Sequence, residues 1–221
     1  MTEQEDTTTT TGFVCPEQRP LYPDLSLFHQ NLIVIGVMCY VAASTFGFLR
    51  LYDRIEKRGW FRGWWPTLVK TWPLLGVLVY LPVGIHLHFV DPHPQTCIVP
   101  PNSTWGWWWM PGSIDFCVAW TGVAEIMGGL VLAVGGFYKK KDLTSLLKGS
   151  SKFLVFLTVG MTFAHCYMIT HGALQFELDE PIPLTVQMIR LTVQGLWLSN
   201  LMYMATHDGP LGEKSSTKKA E

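Results

Sequence analysis

The residues most able to do chemistry sit where the chain is least polar. "TGVAEIMGGLVLAVGG", residues 121–136, is apolar or small throughout except for Glu125. His86, His88, His165 and Arg190 lie in other apolar stretches. Gln187, Arg190 and Gln194 recur at i, i+3 and i+7, as Thr158, Thr162 and His165 do at i, i+4 and i+7, so each set shares one helical face. A carboxylic acid beside imidazoles supplies general acid–base or proton-relay chemistry, and a guanidinium stabilises developing negative charge. The purely structural alternative is a buried Arg190–Glu125 ion pair, with histidines hydrogen-bonded around it, that only fixes helix register. Two residues apart on a helix, His86 and His88 point about 160° from each other and cannot chelate one metal. A His86–His165–Glu125 metal site is the weakest option. No spacing resembles a zinc motif, so no metal is expected.

The elements that must position these groups follow from the charges. Of 221 residues only 15% are charged, against about 25% in ordinary soluble domains. Uncharged or nearly uncharged runs cover 25–49, 71–90, 116–138, 153–176 and 182–206. Each is long enough to cross a ~30 Å hydrocarbon layer as a helix. The expected fold is therefore all-α: a polytopic bundle of five transmembrane helices at about 28–49, 71–90, 116–138, 153–174 and 184–206. These form a membrane domain over 25–206, between a polar tail at 1–24 and a basic tail at 207–221.

Lys and Arg are retained on the cytoplasmic side. Arg50, Arg54, Lys57, Arg58, Arg62 and Lys70 follow the first run, and Lys139, Lys140, Lys141, Lys148 and Lys152 follow the third. Segments 91–115 and 171–184 hold no Lys or Arg, whereas the tail carries Lys214, Lys218 and Lys219. This alternation predicts an outside or lumenal N-terminus and a cytoplasmic C-terminus. Trp60, Trp64, Trp65 and Trp72 on the inner side, and Trp105, Trp107, Trp108 and Trp109 on the outer, are expected as interfacial belts. By depth Glu125 falls about 14 Å into its helix, near the midplane. Four ionisable groups on four helices then line one hydrated cavity opening toward the lumen. The net charge of −1 gives no reason to expect a nucleic-acid partner.

The acidic start, "MTEQEDTTTT", lacks the features of a signal or transit peptide, so the first span is expected to insert as an uncleaved anchor. Lys218 and Lys219, fourth and third from the end, look like a dilysine retrieval signal and predict the endoplasmic reticulum or early secretory pathway. Cys15 and Cys97 both fall on the expected lumenal side, an oxidising compartment. A Cys15–Cys97 disulfide competes with Cys97–Cys117, and the sequence does not choose between them. Asn102-Ser103-Thr104 is a glycosylation sequon in the same segment.

Three stretches, "GIHLHFVDPHPQTCIVP", "TGVAEIMGGL" and "MIRLTVQGLWL", resemble the DoxX-like family of small integral membrane proteins. The family's Gly and His-Phe before a Pro-rich turn, its Thr-Gly-x-x-Glu and its Arg-Leu-x-x-Gln fall here on Gly84, His88, Phe89, Thr121, Gly122, Glu125, Arg190, Leu191 and Gln194. The resemblance covers roughly 75–204, the last four spans. Where the family often has Pro-Ala-Asn, this chain keeps Ala164 and has His165 in place of the amide, and the span over 31–49 has no counterpart. The family includes subunits of quinone-dependent oxidation and redox-stress partners. More distantly the chain is similar to the surfeit-locus cargo receptors, which also end in dilysine tails.

Three functions are weighed. The first is a non-enzymatic receptor, chaperone or assembly factor that binds a protein client or lipophilic ligand in the bilayer or at its lumenal face. The second is a membrane enzyme or redox subunit acting on a quinone or sterol, with Glu125 shuttling a proton, His86 or His165 as relay and Arg190 stabilising charge. The third is a small proton-coupled transporter. No cofactor is required, although a quinone would serve the second; oligomerisation is open.

Overall fold

The computed structural model describes residues 15, 22, 24–59, 64–106, 112–137, 141–173 and 182–206. Helix α1 (Leu27–Arg58) starts at Ser26, whose hydroxyl accepts the His29 N–H. It runs nine residues past the apolar stretch because charges alone do not stop a helix. Gly59 does, in the left-handed conformation at φ 64°, with Lys57 and Arg58 in the last turn facing the negative end of the dipole.

Helix α2 (Trp65–Ile85) carries Pro73 and Pro82 inside it. A proline has no N–H to give to the preceding turn and crowds the carbonyl four residues back. Just beyond Pro82 the helix widens into a π-helical turn, His86–Val90, closed by the Asp91 N–H to His86 O at 2.8 Å. A short helix α3 (His93–Thr96) follows, then the long helices α4 (Ile114–Phe137), α5 (Lys141–His171) and α6 (Leu184–Thr206).

Among the described residues four stretches are long and apolar enough to cross a membrane: Leu27–Arg58, Thr67–Val90, Ile114–Gly135 and Ser145–His171. The chain is thus a polytopic helical bundle of membrane-spanning type. Helix α6 has the bounds expected of a fifth span and 23 residues. It does not reach the same apolarity, since Gln187, Arg190, Gln194, Ser199 and Asn200 interrupt it. Large apolar side chains face outward, among them Phe28, Leu78, Phe156 and Ile189 at 60–71% exposure. On a protein meeting lipid these need no covering.

Packing runs α2 on α4, α4 on α5, α5 on α6 and α6 on α1, with α1 also touching α5. Glycines allow the close approaches. A Cβ added at Gly122 would lie 2.4 Å from His88 Cβ, and one at Gly195 would lie 2.7 Å from Ser44 Cβ. Both obstacles are rooted in the neighbouring backbone and cannot swing away.

Among the described residues two buried apolar clusters result. One joins Tyr52, Trp65, Trp72 and Tyr203 with Leu132, Leu154 and Leu201. The other gathers Val34, Val37, Trp105, Cys166, Leu191 and Leu198. The interfacial-belt expectation is corrected here: Trp65, Trp72 and Trp105 are 8%, 3% and 1% exposed, and only Trp64 of the described tryptophans in those belts faces outward. Tyr52, Trp65, Trp72 and Tyr203 stack edge to face or tilted, and Trp105 lies against Phe163. Mutual packing outcompetes the headgroup layer for these rings. Trp60 and Trp107, Trp108 and Trp109 lie outside the described residues.

The Cys15–Cys97 disulfide is closed, and Cys39, Cys117 and Cys166 are free thiols. Cys97 caps α3, so the bridge ties the stretch preceding α1 to the segment between α2 and α4.

Gly122→Ala is expected to lower thermal stability in detergent by about 1–3 kcal/mol, the usual range for overpacking. Gly160→Ala, where a Cβ would meet nothing within 4 Å, is expected to leave the melting temperature unchanged or raise it.

Candidate functional site

Glu125 lies on the α4 face that meets both α2 and α5. One turn away Gly129 faces Tyr80 and Leu81 of α2, and Gly128 faces Leu154 of α5. The glutamate is fully buried, and neither carboxylate oxygen has a hydrogen-bond partner among the described residues. Against it lies His88, whose Nε2 stands 3.6 Å from Glu125 Oε2. On its other side the His88 ring is anchored by Nδ1, 2.6 Å from the Val118 carbonyl oxygen and 3.4 Å from Thr121 Oγ1. Gly84 and Gly122 are the residues that let the helices come this close. A Cβ on Gly84 would sit 3.1 Å from Glu125 Cβ. His88 also lies in the π-helical turn, a feature often found where a side chain is aimed for function.

A second set of polar groups runs between α5 and α6. Gln194 Nε2 donates to Thr158 O at 2.8 Å and to Thr162 Oγ1 at 3.0 Å. Thr158 Oγ1 lies 2.8 Å from Tyr80 Oη, which accepts the Trp197 Nε1–H at 2.8 Å. Tyr80 is within electrostatic reach of Glu125 and so links the two sets. The seam still has unmatched atoms: Gln187 Oε1, Gln194 Oε1 and His165 Nδ1 are buried without hydrogen-bond partners among the described residues. Gln187 and Thr162 are each 1% exposed.

The expected single cluster is thus divided. Thr162 meets Gln194, and His165 lies within electrostatic reach of Arg190. Arg190 does not pair with Glu125; its Nη1 approaches Met168 Sδ at 3.9 Å. His86 is exposed and does not join the glutamate, which its neighbour two residues on does instead. Among the described residues no three His, Cys, Asp or Glu side chains converge to hold a metal ion. Asn102 is half-buried in a turn leading into Trp105, whose carbonyl accepts Asn31 Nδ2 from α1 at 3.1 Å. Lys218 and Lys219 lie outside the described residues.

Tyr80 and Trp197 are members that the sequence reading passed over. A signal for Tyr80 was available: Gly76, Tyr80, Gly84 and His88 repeat at four-residue spacing and mark one face of α2. A second buried network, Tyr52 Oη to Asn200 Oδ1 at 2.6 Å and Ser199 Oγ to Tyr52 Oη at 3.0 Å, ties α1 to α6. Tyr203 also donates to Glu56 at that end. These bonds hold two helices together and leave no buried unmatched atom among the described residues, so they belong to the frame.

The fold and the site together define a membrane-spanning helical bundle with polar side chains buried between its helices. No family model matches the chain, and no curated protein or solved structure matches it.

Gln194→Leu removes both bonds across the α5–α6 seam. It is expected to lower stability by about 0.6–1.7 kcal/mol, the range for interhelical hydrogen bonds in membranes, measured by unfolding in mixed micelles.

Proposed function

We propose that the chain is a five-span membrane protein of DoxX-like type in the endoplasmic reticulum or early secretory pathway, its N-terminus lumenal and its C-terminus cytoplasmic. It acts as a non-enzymatic receptor, chaperone or assembly factor, and the buried polar groups of α4, α5 and α6 are where a lipophilic ligand or client segment is held. The observation that carries this reading is the set of unmatched acceptors: Glu125 Oε1, Gln187 Oε1 and Gln194 Oε1. An unpaired buried acceptor costs roughly 1–3 kcal/mol, more if charged. An arrangement rich in acceptors and short of donors fits an apolar molecule bearing hydroxyl or amide N–H groups. The basic residues Arg50, Arg54, Lys57 and Arg58 after α1, and Lys148 and Lys152 in α5, support the orientation.

A second reading, a membrane enzyme or redox subunit acting on a quinone or sterol, is favoured by the His88–Glu125 contact. In it Glu125 shuttles the proton and His88, rather than His86 or His165, is its relay.

Mass spectrometry of the chain purified in mild detergent is expected to find a hydroxyl-bearing lipophile. Glu125→Leu, which keeps volume but removes the acceptors, should reduce its occupancy about tenfold, equivalent to ~1.4 kcal/mol. Equal occupancy in a folded Glu125→Leu protein would remove the receptor reading. Loss of turnover in Glu125→Gln with occupancy intact would establish the enzymatic one. For the orientation, single cysteines at Ser103 and Ser145 in a cysteine-free background should label from opposite faces of sealed vesicles; labelling from one face would refute the five-span arrangement.

A further inference from the structure

The contact between His88 Nδ1 and Val118 O decides the chemistry of the ring. A carbonyl oxygen only accepts, so at 2.6 Å the hydrogen between them belongs to Nδ1. The Thr121 hydroxyl does not compete, because it gives its own hydrogen to Cys117 O at 2.8 Å or Val118 O at 3.0 Å. A neutral imidazole with its hydrogen on Nδ1 presents a bare lone pair at Nε2. That lone pair faces Glu125 Oε2 at 3.6 Å. Both atoms are sealed from solvent, and neither has another hydrogen-bond partner among the described residues.

Two lone pairs facing each other in a medium of low dielectric repel. One proton between them turns the repulsion into a hydrogen bond. We propose that His88 and Glu125 hold a single proton between them, forming a buried proton-binding site whose tautomer is set by the Val118 carbonyl.

The charge count agrees. With no proton the pair would be a buried anion, with two a buried cation; with one it is neutral overall, whichever atom carries it. Isolated charges in such surroundings cost several kcal/mol each. The pair titrates as a unit, not as two separate residues.

Other titratable or charged groups on the elements packed around it have other placements. Tyr80 of α2 lies within electrostatic reach of Glu125 but has its hydroxyl engaged with Thr158 and Trp197. Asp91 and Asp115 are exposed, while Cys117 of α4 and His93 of α3 are half-buried. On α5 and α6, His165 and Arg190 lie within reach of each other. Sharing through Oε2 leaves Glu125 Oε1, buried and without a hydrogen-bond partner among the described residues, as the atom a ligand's donor would meet.

The inference stands apart from the receptor reading, because its readout needs no ligand. The full chain, labelled with ¹³C-glutamate and ¹⁵N-histidine in lipid nanodiscs at neutral pH, is examined by infrared and nitrogen NMR spectroscopy. Glu125→Gln and His88→Phe assign the bands and resonances. The expected result is one proton on the pair: either a carboxylic-acid carbonyl stretch, lost in Glu125→Gln and shifted in His88→Phe, or an ionised Glu125 with His88 protonated on both nitrogens. In the first case His88 carries hydrogen on Nδ1 alone. An ionised Glu125 beside a neutral His88, or hydrogen on Nε2 alone, overturns the proposal. If His88→Phe does not fold, the wild-type nitrogen shifts, referenced to Glu125→Gln, decide the same question.

Discussion

Hydrocarbon offers a polar atom nothing to bond with, and the arrangement of this bundle follows from that single fact. Phe28, Leu78, Phe156 and Ile189 turn outward because lipid accepts them, while Glu125, Gln187, Gln194 and Thr162 turn inward because it does not accept polar groups. A soluble protein with the same side chains would reverse the assignment. Once turned inward, a polar atom that its own helix does not satisfy needs a partner on another helix, and this need helps fix which helices meet. Gln194 selects Thr158 and Thr162, Trp197 selects Tyr80, and Tyr52 selects Asn200.

Those bonds require close packing, which the small residues provide. Gly84 and Gly122 bring α2 against α4, and Gly195 brings α6 against α1. The hydrophobic effect contributes little to helix association inside a membrane, so van der Waals contact and polar bonds carry it instead. The polar side chains are accordingly part of the frame as well as the site. The two roles separate atom by atom. Tyr52, Asn200 and Ser199 satisfy one another, whereas Glu125, Gln187 and His165 retain atoms that nothing described here satisfies.

The helices were legible from charge spacing, because a charged residue in lipid is costly enough to leave gaps of one membrane thickness. Their ends were less legible. Helix α1 goes on through Arg50 and Arg54 to Arg58, and α5 begins at Lys141, since helical hydrogen bonding continues past the apolar layer. Glu125 stood out at once as an isolated acid, but its partner did not. His86 and His88 carry the same chemistry two residues apart, and only the helix rotation that exposes one and buries the other distinguishes them. The tryptophans misled for a related reason. A ring with a polar edge suits a headgroup layer and a tight aromatic cluster equally well, and Trp72 and Trp105 took the second.

The Cys15–Cys97 bridge joins positions separated by 82 residues, and everything between them, including α1 and α2, becomes a closed covalent ring. Helix α1 packs mainly on α6, with a smaller contact to α5. The ring adds a covalent attachment to the segment between α2 and α4. A protease cut in the connection between α1 and α2 would therefore release no fragment while the bridge stays oxidised. The two pieces would part on a gel only after reduction, and the nicked molecule would keep its first helix tethered to the rest.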